Sequence, residues 1–343
     1  MISSGHLDGF TRDHLPDIRL WPHLQYVLPE LQYPDRLNCS TRLLDRHIEC
    51  GAGERRCIVA PGTLWSYRDL YERANRIAHV LTEDLGVVSG NRVLLRGFNS
   101  PMLAAAWFAV MKIGAVAVTA MPLYRAGELR YMIDKAQVSH ALCDDRLAED
   151  LQTATKDAAQ FERVLWGGEG SDSLEHRMSS KSPSFQSADT AADDVAIIGF
   201  TSGTTGRPKA AMHFHRDILS TCDTFGKRVL APSANDLFCG SPPLGFTFGL
   251  GGLLLFPLDA GAATVLIEKA QAEPLLSAIE EFGVTVLFTA PVAYRAMGEL
   301  VHARNLRSLR TCVSAGETLP PSVWNLWYDR TGLKIVTGGN DHV

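Results

Sequence analysis

Short apolar runs alternate with stretches of helical periodicity along most of the chain. Apolar runs at residues 92–96, 115–120, 140–143, 195–200, 238–242, 263–267, 284–289, 310–314 and 333–336 predict buried β-strands. Helices are predicted between them, at residues 66–85, 104–113, 129–135, 249–258 and 273–281. Buried strands that alternate with helices indicate an α/β fold of two subdomains, each a largely parallel sheet flanked by helices.

One apolar run, residues 101–123, is long enough to span a bilayer and carries a single charge, Lys112. A lysine at the centre of a membrane helix costs about 2.5–3.5 kcal/mol on insertion. Gly114 also divides the run into an alanine-rich half and a β-branched half, which favour a helix and a strand respectively. We therefore predict a buried helix and a buried strand here, and no membrane partner.

Two segments interrupt the alternating pattern. The residues up to 38 are rich in Pro, His and aromatic side chains without a clear period, which predicts an arm on the protein surface. Residues 167–194 are rich in Gly, Ser, Asp and Pro, which is typical of a surface linker. We therefore predict an N-terminal arm (1–38), a first α/β subdomain (39–185) and a second α/β subdomain (186–343), with the active cleft where the subdomains meet.

Charge and cysteine content argue against several classes of protein. The 343 residues include 33 Lys+Arg and 38 Asp+Glu, a formal net charge of −5, and no basic cluster, which argues against a nucleic-acid partner. The seven cysteines form no Cys-x-x-Cys pair, which argues against a disulfide framework or zinc ribbon and favours the reducing cytoplasm. The first residues lack the apolar core of a secretory signal. The oligomeric state is left open.

The segment most informative about function is residues 200–209, Phe-Thr-Ser-Gly-Thr-Thr-Gly-Arg-Pro-Lys, directly after a predicted buried strand. Its hydroxyl groups, its two glycines and its lysine are the groups that a phosphate-binding loop requires, because glycines let backbone N–H groups surround an anion. A Walker P-loop does not fit, since only two residues separate Gly203 from Gly206 and Pro208 precedes Lys209. A plain surface loop is the alternative, and ten contiguous residues of the required kinds argue against it.

This loop resembles the signature loop of the acyl-adenylate-forming superfamily, which includes acyl- and aryl-CoA ligases, luciferases and the adenylation domains of peptide synthetases. Three further stretches are similar to motifs of that family: 213–215 (His-Phe-His), 241–249 and 314–320. Residues 99–101 and 122–128 also resemble the family's first subdomain, so the resemblance covers roughly residues 40–336. Residues 241–252 are similar to the group of benzoate and 2-aminobenzoate-CoA ligases.

The resemblance implies an ATP-dependent acid–thiol ligase that activates an aromatic carboxylate of the benzoate or 2-aminobenzoate type as aryl-AMP and transfers it to coenzyme A. ATP, Mg²⁺ and coenzyme A are the substrates and cofactor that it implies. The residues that it assigns to the ATP phosphates are Thr201, Ser202, Gly203, Thr204, Thr205, Gly206 and Lys209, with Thr204 and Lys209 catalytic. It places Ala315, Gly316 and Glu317 at the adenine and acyl adenylate, and His213, Phe246, Gly249, Ala290 and Pro291 at the pocket for the acid.

At two of these positions, the residue type itself bears on the function. Phe246 stands where the family has a histidine, and an apolar ring there suits a flat aromatic acid. His213 and His215 have no third ligand nearby in the sequence, so structural or substrate-adjacent histidines are favoured over a metal site and no metal-binding residue is predicted.

The end of the sequence departs from the family pattern. After the strand at 333–336 the family continues with a Gly-x-Thr-Glu motif, whereas residues 337–343 read Thr-Gly-Gly-Asn-Asp-His-Val. The family's ribose-binding aspartate and its C-terminal domain with the adenylation lysine have no counterpart here. We therefore expect a truncated form with little turnover. The alternative is a non-catalytic remnant that binds nucleotide or an aromatic acid.

Overall fold

The structure is a computed structural model that describes residues 2–158, 160–201 and 208–337. Its strands are β1 (Arg56–Ala60), β2 (Thr63–Ser66), β3 (Arg92–Arg96), β4 (Val116–Ala120), β5 (His140–Asp144), β6 (Glu162–Trp166), β7 (Val195–Thr201), β8 (Lys209–Phe214), β9 (Leu237–Gly240), β10 (Ala263–Val265), β11 (Val286–Thr289), β12 (Thr311–Ser314) and β13 (Ile335–Thr337).

Helices connect most of these strands. They are α1 (Phe10–Asp13), α2 (Arg46–Glu49), α3 (Tyr67–His79), α4 (Pro101–Lys112), α5 (Ala126–Ala136), α6 (Ala148–Thr155), α7 (Leu174–Ser179), α8 (His215–Thr221), α9 (Thr247–Leu250), α10 (Phe256–Asp259), α11 (Ala272–Phe282), α12 (Pro291–Leu300) and α13 (Pro321–Thr331). The segments Val80–Asp84, Cys222–Leu230 and Gly251–Leu255 are π-helical; the first two extend α3 and α8, and the third joins α9 to α10.

The strands form two sheets. The seven-stranded sheet has the order β13-β12-β11-β9-β10-β1-β2, and the six-stranded sheet has the order β6-β5-β3-β4-β7-β8. All neighbouring strands are parallel except the hairpins β1–β2 and β7–β8, which are antiparallel. The prediction of an α/β fold with two mostly parallel sheets is confirmed.

The predicted strands and helices are present, with ends shifted by a few residues. Residues 92–96 form a strand with the predicted bounds. The side chain of Ser66 caps α3 and forms a reciprocal capping box with Asp69, which fixes where that helix begins. The predicted linker at 167–194 is wrong in one respect, because it contains α7, whose buried Leu174 and Met178 pack into the core.

The division between the sheets does not follow the predicted division at residues 185 and 186. Strands β1 and β2 precede that boundary but lie in the seven-stranded sheet, whereas β7 and β8 follow it and lie in the six-stranded sheet. The chain therefore crosses between the sheets twice, after β2 and after β8. The three-part division of the sequence into an arm and two subdomains stays a proposal.

The largest hydrophobic cluster joins the two sheets. It contains Ile58 and Phe238 from the seven-stranded sheet, Leu95 from the six-stranded sheet, and much of α3 and α4. Lys112 is fully buried beside it, where it pairs with Asp45 and lies 4.5 Å from the centre of the Tyr71 ring. These partners explain how a charged side chain is accommodated at the end of a buried helix. Among the helices that the structure describes, none has both the length and the apolar character that a membrane crossing demands.

Candidate active site

The carboxyl ends of several parallel strands meet at one edge of the seven-stranded sheet. In the register, Phe288 lies beside Gly240 and Thr289 lies beside Ser314. Ala290, Pro291 and Ala315, all predicted site residues, directly follow these strand ends. Loops at the carboxyl ends of parallel strands are where α/β proteins place their ligands.

Gly316 and Glu317 continue from this edge and are exposed. Gly316 has a φ of +91°, a conformation that side-chain-bearing residues rarely adopt, so a glycine is required for the turn after β12. The structure thus brings the predicted adenine-side and acid-side residues to the same edge. Whether they contact a nucleotide or an acid stays a prediction.

Residues 241–249, which we term the gate segment, run from the seven-stranded sheet to the six-stranded sheet. At one end, the Ser241 N–H donates to the Phe288 carbonyl at 3.1 Å. In the middle, a Cβ added to Gly245 would lie 2.7 Å from the Ala120 carbonyl oxygen, so this glycine permits close contact with the end of β4. The gate segment therefore touches the strand ends of both sheets.

Asn99 fixes the gate segment from the six-stranded side. Its side-chain nitrogen donates to the Pro242 carbonyl at 2.9 Å, and its oxygen accepts the Leu244 N–H at 2.7 Å. Asn99 is buried, so both bonds form away from water, where an unpaired polar group would be costly. In the sequence, Asn99 is only part of a stretch that resembles a family motif. Nothing in the sequence indicates that its side chain fixes the gate segment.

Two predicted acid-pocket residues lie in or next to a tight turn of the gate segment. The Phe246 N–H donates to the Pro243 carbonyl at 3.0 Å, and the Phe246 ring is half-buried. A Cβ added to Gly249 would lie 2.1 Å from the same Pro243 carbonyl oxygen, so no other residue fits there. Gly249 therefore has a packing requirement of its own, independent of any contact with a substrate.

A mostly apolar cavity of about 440 Å³ lies beside the gate segment. The strands β7 and β8 contribute Ile197 and His213, the helix that begins at His215 contributes Asp217 and Ser220, and the helix that begins at Thr247 contributes Thr247 and Phe256. Its volume is within the range of about 300–1,000 Å³ that is typical of small-molecule sites. Of the five predicted acid-pocket residues, His213 is a lining residue, whereas Phe246, Gly249, Ala290 and Pro291 are outside the lining.

The predicted phosphate loop connects β7 to β8 at the end of the hairpin that forms one cavity wall. Thr201 pairs with Lys209 across the hairpin, and both are exposed. Ser202, Gly203, Thr204, Thr205 and Gly206 lie outside the described residues. Because residues two apart in a strand share a face, Ile197 at the cavity, Gly199 and Thr201 at the loop lie in line on one face of β7.

Gly199 lies between Ile197 and Thr201 on this face of β7. It is buried, yet among the described residues an added Cβ would meet a single atom within 4 Å, the Thr247 methyl carbon at 3.6 Å. Thr247 itself lines the cavity. The described residues therefore leave room for one further carbon atom at Gly199.

The two histidines after the loop have different surroundings because β8 ends at Phe214 and α8 begins at His215. His213 lines the cavity, and no hydrogen bond of its ring to another described residue is present. His215 is fully buried, and its Nδ1 accepts the Cys39 N–H at 3.2 Å. Burial, with a smaller effect of His6, lowers the pKa of His215 to about 3, so this ring is neutral at physiological pH.

Several lining residues carried no signal in the sequence. The N-terminal arm contributes Leu24, Tyr26 and Leu31 to the cavity, although it has no apolar periodicity. Within the ranges that the structure describes, no three His, Cys, Asp or Glu residues are grouped so that they could hold a metal ion.

Sequence comparison identifies curated relatives of this chain. The chain is 28% identical over 315 residues to benzoate–CoA ligase of Thauera aromatica, an alignment that covers 90% of this chain and 60% of that enzyme. It is 29% identical over 321 residues to a 3-hydroxybenzoate/4-hydroxybenzoate–CoA ligase of the same organism, with the same coverage of 90% and 60%. The chain thus spans about 60% of the length of these curated relatives.

Solved structures show the same relationship. An anthranilate CoA ligase in complex with anthranoyl-AMP superposes with a TM-score of 0.84 at 27% identity, covering 91% of this chain and 62% of that one. A benzoate CoA ligase from Burkholderia xenovorans LB400 superposes with a TM-score of 0.78 at 24% identity, covering 88% and 60%, and shows the shared fold. The family model described as AMP-binding enzyme matches residues 44–339. Because this model matches most of the chain, the chain belongs to the AMP-binding enzyme family.

Proposed function

We propose that this chain activates an aromatic carboxylate with ATP and transfers the acyl group to coenzyme A. In the first step a carboxylate oxygen attacks the α-phosphorus of ATP, and pyrophosphate leaves with the bonding electrons of the broken P–O bond. In the second step the thiolate of coenzyme A attacks the acyl carbon, and AMP leaves. The relatives support this proposal, since their names describe CoA ligases for benzoate, hydroxybenzoate and anthranilate.

The observation that carries the proposal is the line Ile197, Gly199 and Thr201 on β7. An aromatic ring in the apolar cavity contacts Ile197, its carboxylate extends over Gly199, and the phosphate loop begins at Thr201. Adenylate formation requires one carboxylate oxygen to be aligned with phosphorus, and a single strand that carries both sites supplies a fixed geometry.

We assign the phosphates of ATP to Thr201 and the loop residues Ser202–Gly206, together with Lys209. Backbone N–H groups, hydroxyl groups and the ammonium group neutralise the charge on pyrophosphate as it departs. Thr204 and Lys209 are the proposed catalytic residues, and Ala315, Gly316 and Glu317 the proposed adenine-side residues. Mg²⁺ accompanies ATP in this proposal, and we assign no residue of this chain to it.

The acid that we propose is of the benzoate or 2-aminobenzoate type. Of its proposed pocket residues, His213 lines the cavity, whereas Phe246, Gly249, Ala290 and Pro291 lie outside the lining and stay proposals. Without a partner among the described residues, the His213 ring is available to bond a polar substituent on the acid. The phenyl ring of Phe246 at the gate segment suits the flat face of an aromatic ring. We propose the cytoplasm as the compartment, which the seven free cysteines support.

Binding and turnover test this proposal separately. Sulfamoyl adenosines that carry a benzoyl, 2-aminobenzoyl or acetyl group mimic the acyl adenylate without being hydrolysed. We expect the purified 343-residue chain to bind the two aromatic mimics more tightly than the acetyl mimic in calorimetry. Equal binding of all three, or of none, would contradict an aromatic acid site.

Pyrophosphate release then distinguishes an enzyme from a chain that only binds. The assay contains ATP, Mg²⁺, coenzyme A and 2-aminobenzoate, with heat-denatured protein as the blank. Release that depends on the aromatic acid supports the full reaction. Tight binding of the aromatic mimics without release would favour a non-catalytic binding function.

A further inference from the structure

We propose that residues 24–31 of the N-terminal arm, termed here the arm wall, determine the size of the acid that the cavity accepts. This proposal rests on the proposed function, because it takes the cavity as the site of the acid's ring. The arm wall lies outside residues 44–339, the part that the family model matches. The family model therefore gives no account of these residues.

The arm wall forms part of the lining of the cavity. Leu24, Tyr26 and Leu31 are lining residues, together with residues of β7, β8 and the helices that begin at His215 and Thr247. Leu24 is 45% exposed, so part of its side chain is open to contact with a ligand. Apolar side chains at an unfilled wall gain contacts when a ligand covers them.

Several contacts hold the arm wall against the helix 215–230. Glu30 forms an ion pair with Arg228, and the Tyr26 ring lies 5.8 Å from the guanidinium carbon of Arg216. Just beyond the arm wall, the Tyr33 hydroxyl donates to Asp223 at 2.7 Å. The arm wall is thus attached to the helix 215–230, which itself contributes lining residues to the cavity.

The volume indicates what the arm wall accommodates. A cavity of about 150 Å³ is enough to hold benzene, whereas this cavity measures about 440 Å³. Leu24 and Leu31 are among the residues that line this larger space. The ligand class that we infer is an aromatic acid with an apolar substituent on the ring, at the end remote from the carboxylate.

The experiment measures binding of three sulfamoyl adenosines that carry benzoyl, 4-butylbenzoyl and 4-phenylbenzoyl groups. We expect wild type to bind 4-butylbenzoyl at least as tightly as benzoyl. The variants Leu24→Ala and Leu31→Ala should weaken 4-butylbenzoyl relative to benzoyl by about tenfold, because a lost apolar contact has this effect on discrimination. Leu31→Trp should exclude 4-phenylbenzoyl and retain benzoyl.

Leu20→Ala is the matched control, since Leu20 belongs to the same arm, is 77% exposed and is not a lining residue. Its preference among the three ligands should equal that of wild type. If Leu24→Ala and Leu31→Ala behave like Leu20→Ala while wild type binds the benzoyl ligand, the arm-wall proposal is wrong and the proposed function stands. If wild type binds none of the three, the proposed function fails and the arm-wall proposal falls with it.

Discussion

The side-chain oxygen of Asn99 accepts the backbone N–H of Leu244 at 2.7 Å, which attaches the gate segment to the end of the six-stranded sheet. Asn99→Ala leaves this N–H and the Pro242 carbonyl buried without partners. We expect it to lower the free energy of unfolding by about 1–3 kcal/mol, the cost of an unsatisfied buried group. We also expect weaker binding of the benzoyl sulfamoyl adenosine, because the gate segment loses its position.

Asn38→Ala is the control for this prediction. Asn38 is a buried asparagine whose nitrogen donates to the Met111 carbonyl at 2.8 Å and whose oxygen accepts the Ser40 N–H at 3.1 Å, away from the gate segment. The two variants should lose similar stability in urea unfolding, and only Asn99→Ala should lose affinity. Equal affinity losses would show that Asn99 has no positioning role.

Gly199 offers a test of the path from the cavity to the phosphate loop. Valine is favourable in strands, so Gly199→Val should retain stability, but its branched side chain fills the space over β7. We expect the affinity for the benzoyl sulfamoyl adenosine to fall more than tenfold. A steric conflict that costs about 1.4 kcal/mol of binding free energy already weakens binding by a factor of ten. Gly199→Ala, whose added carbon would have ordinary contact with Thr247 at 3.6 Å, should bind nearly as wild type. Unchanged binding by the valine variant would remove this path from the site.

Lys209 should contact the phosphates of ATP, since it follows the phosphate loop and is exposed at the end of the hairpin. Lys209→Ala should weaken ATP binding in calorimetry roughly tenfold to a hundredfold, the effect of losing one charge-assisted contact. Lys135→Ala, at an exposed position of α5, controls for the change in net charge. If both variants bind ATP alike, Lys209 lies outside the phosphate site.

His215 should make stability depend on pH. Burial lowers its pKa in the folded protein to about 3 from the ordinary 6.5, so the proton binds the unfolded chain more readily. This contribution to stability is therefore complete above about pH 6.5 and is lost progressively as the pH falls toward 3.

The measurement is the urea midpoint between pH 7 and pH 4. His215→Gln should reduce the dependence of the midpoint on pH, whereas His23→Gln, on an exposed part of the arm, should leave the wild-type dependence unchanged. A His215→Gln protein with the same dependence as wild type would show that His215 does not cause it.

Most strands could be predicted because strands buried on both faces are apolar throughout. The hairpin strand β8 could not, since its side chains are mostly half-buried and its partner β7 decides its conformation. Helices α12 and α13 were missed although each begins with proline, at Pro291 and Pro321, a residue favoured at the first helical position. Proline at these two positions is therefore a sequence signal for the start of both helices.

The candidate site likewise contains residues that the sequence can identify and residues that it cannot. His213 could be identified from a motif near the loop, and the structure places it in the cavity. Asn99 and Leu31 could not be assigned these positions, because each acts on residues distant in the sequence: Asn99 on the gate segment, Leu31 on a cavity formed by four other segments. These roles depend on how the chain passes from one sheet to the other. Local periodicity of the sequence does not predict that path.

That crossing has a consequence for synthesis of the protein. The parallel partner of β1 is β10, with Ile58 beside Thr264, so the β1–β2 hairpin emerges from the ribosome long before its neighbour exists. At translation rates of about 5–20 residues per second, the delay is on the order of ten seconds or more. Throughout this interval the edge of β1 is open to pairing with other chains. The nascent hairpin is therefore the segment for which we expect chaperone binding during translation to matter most.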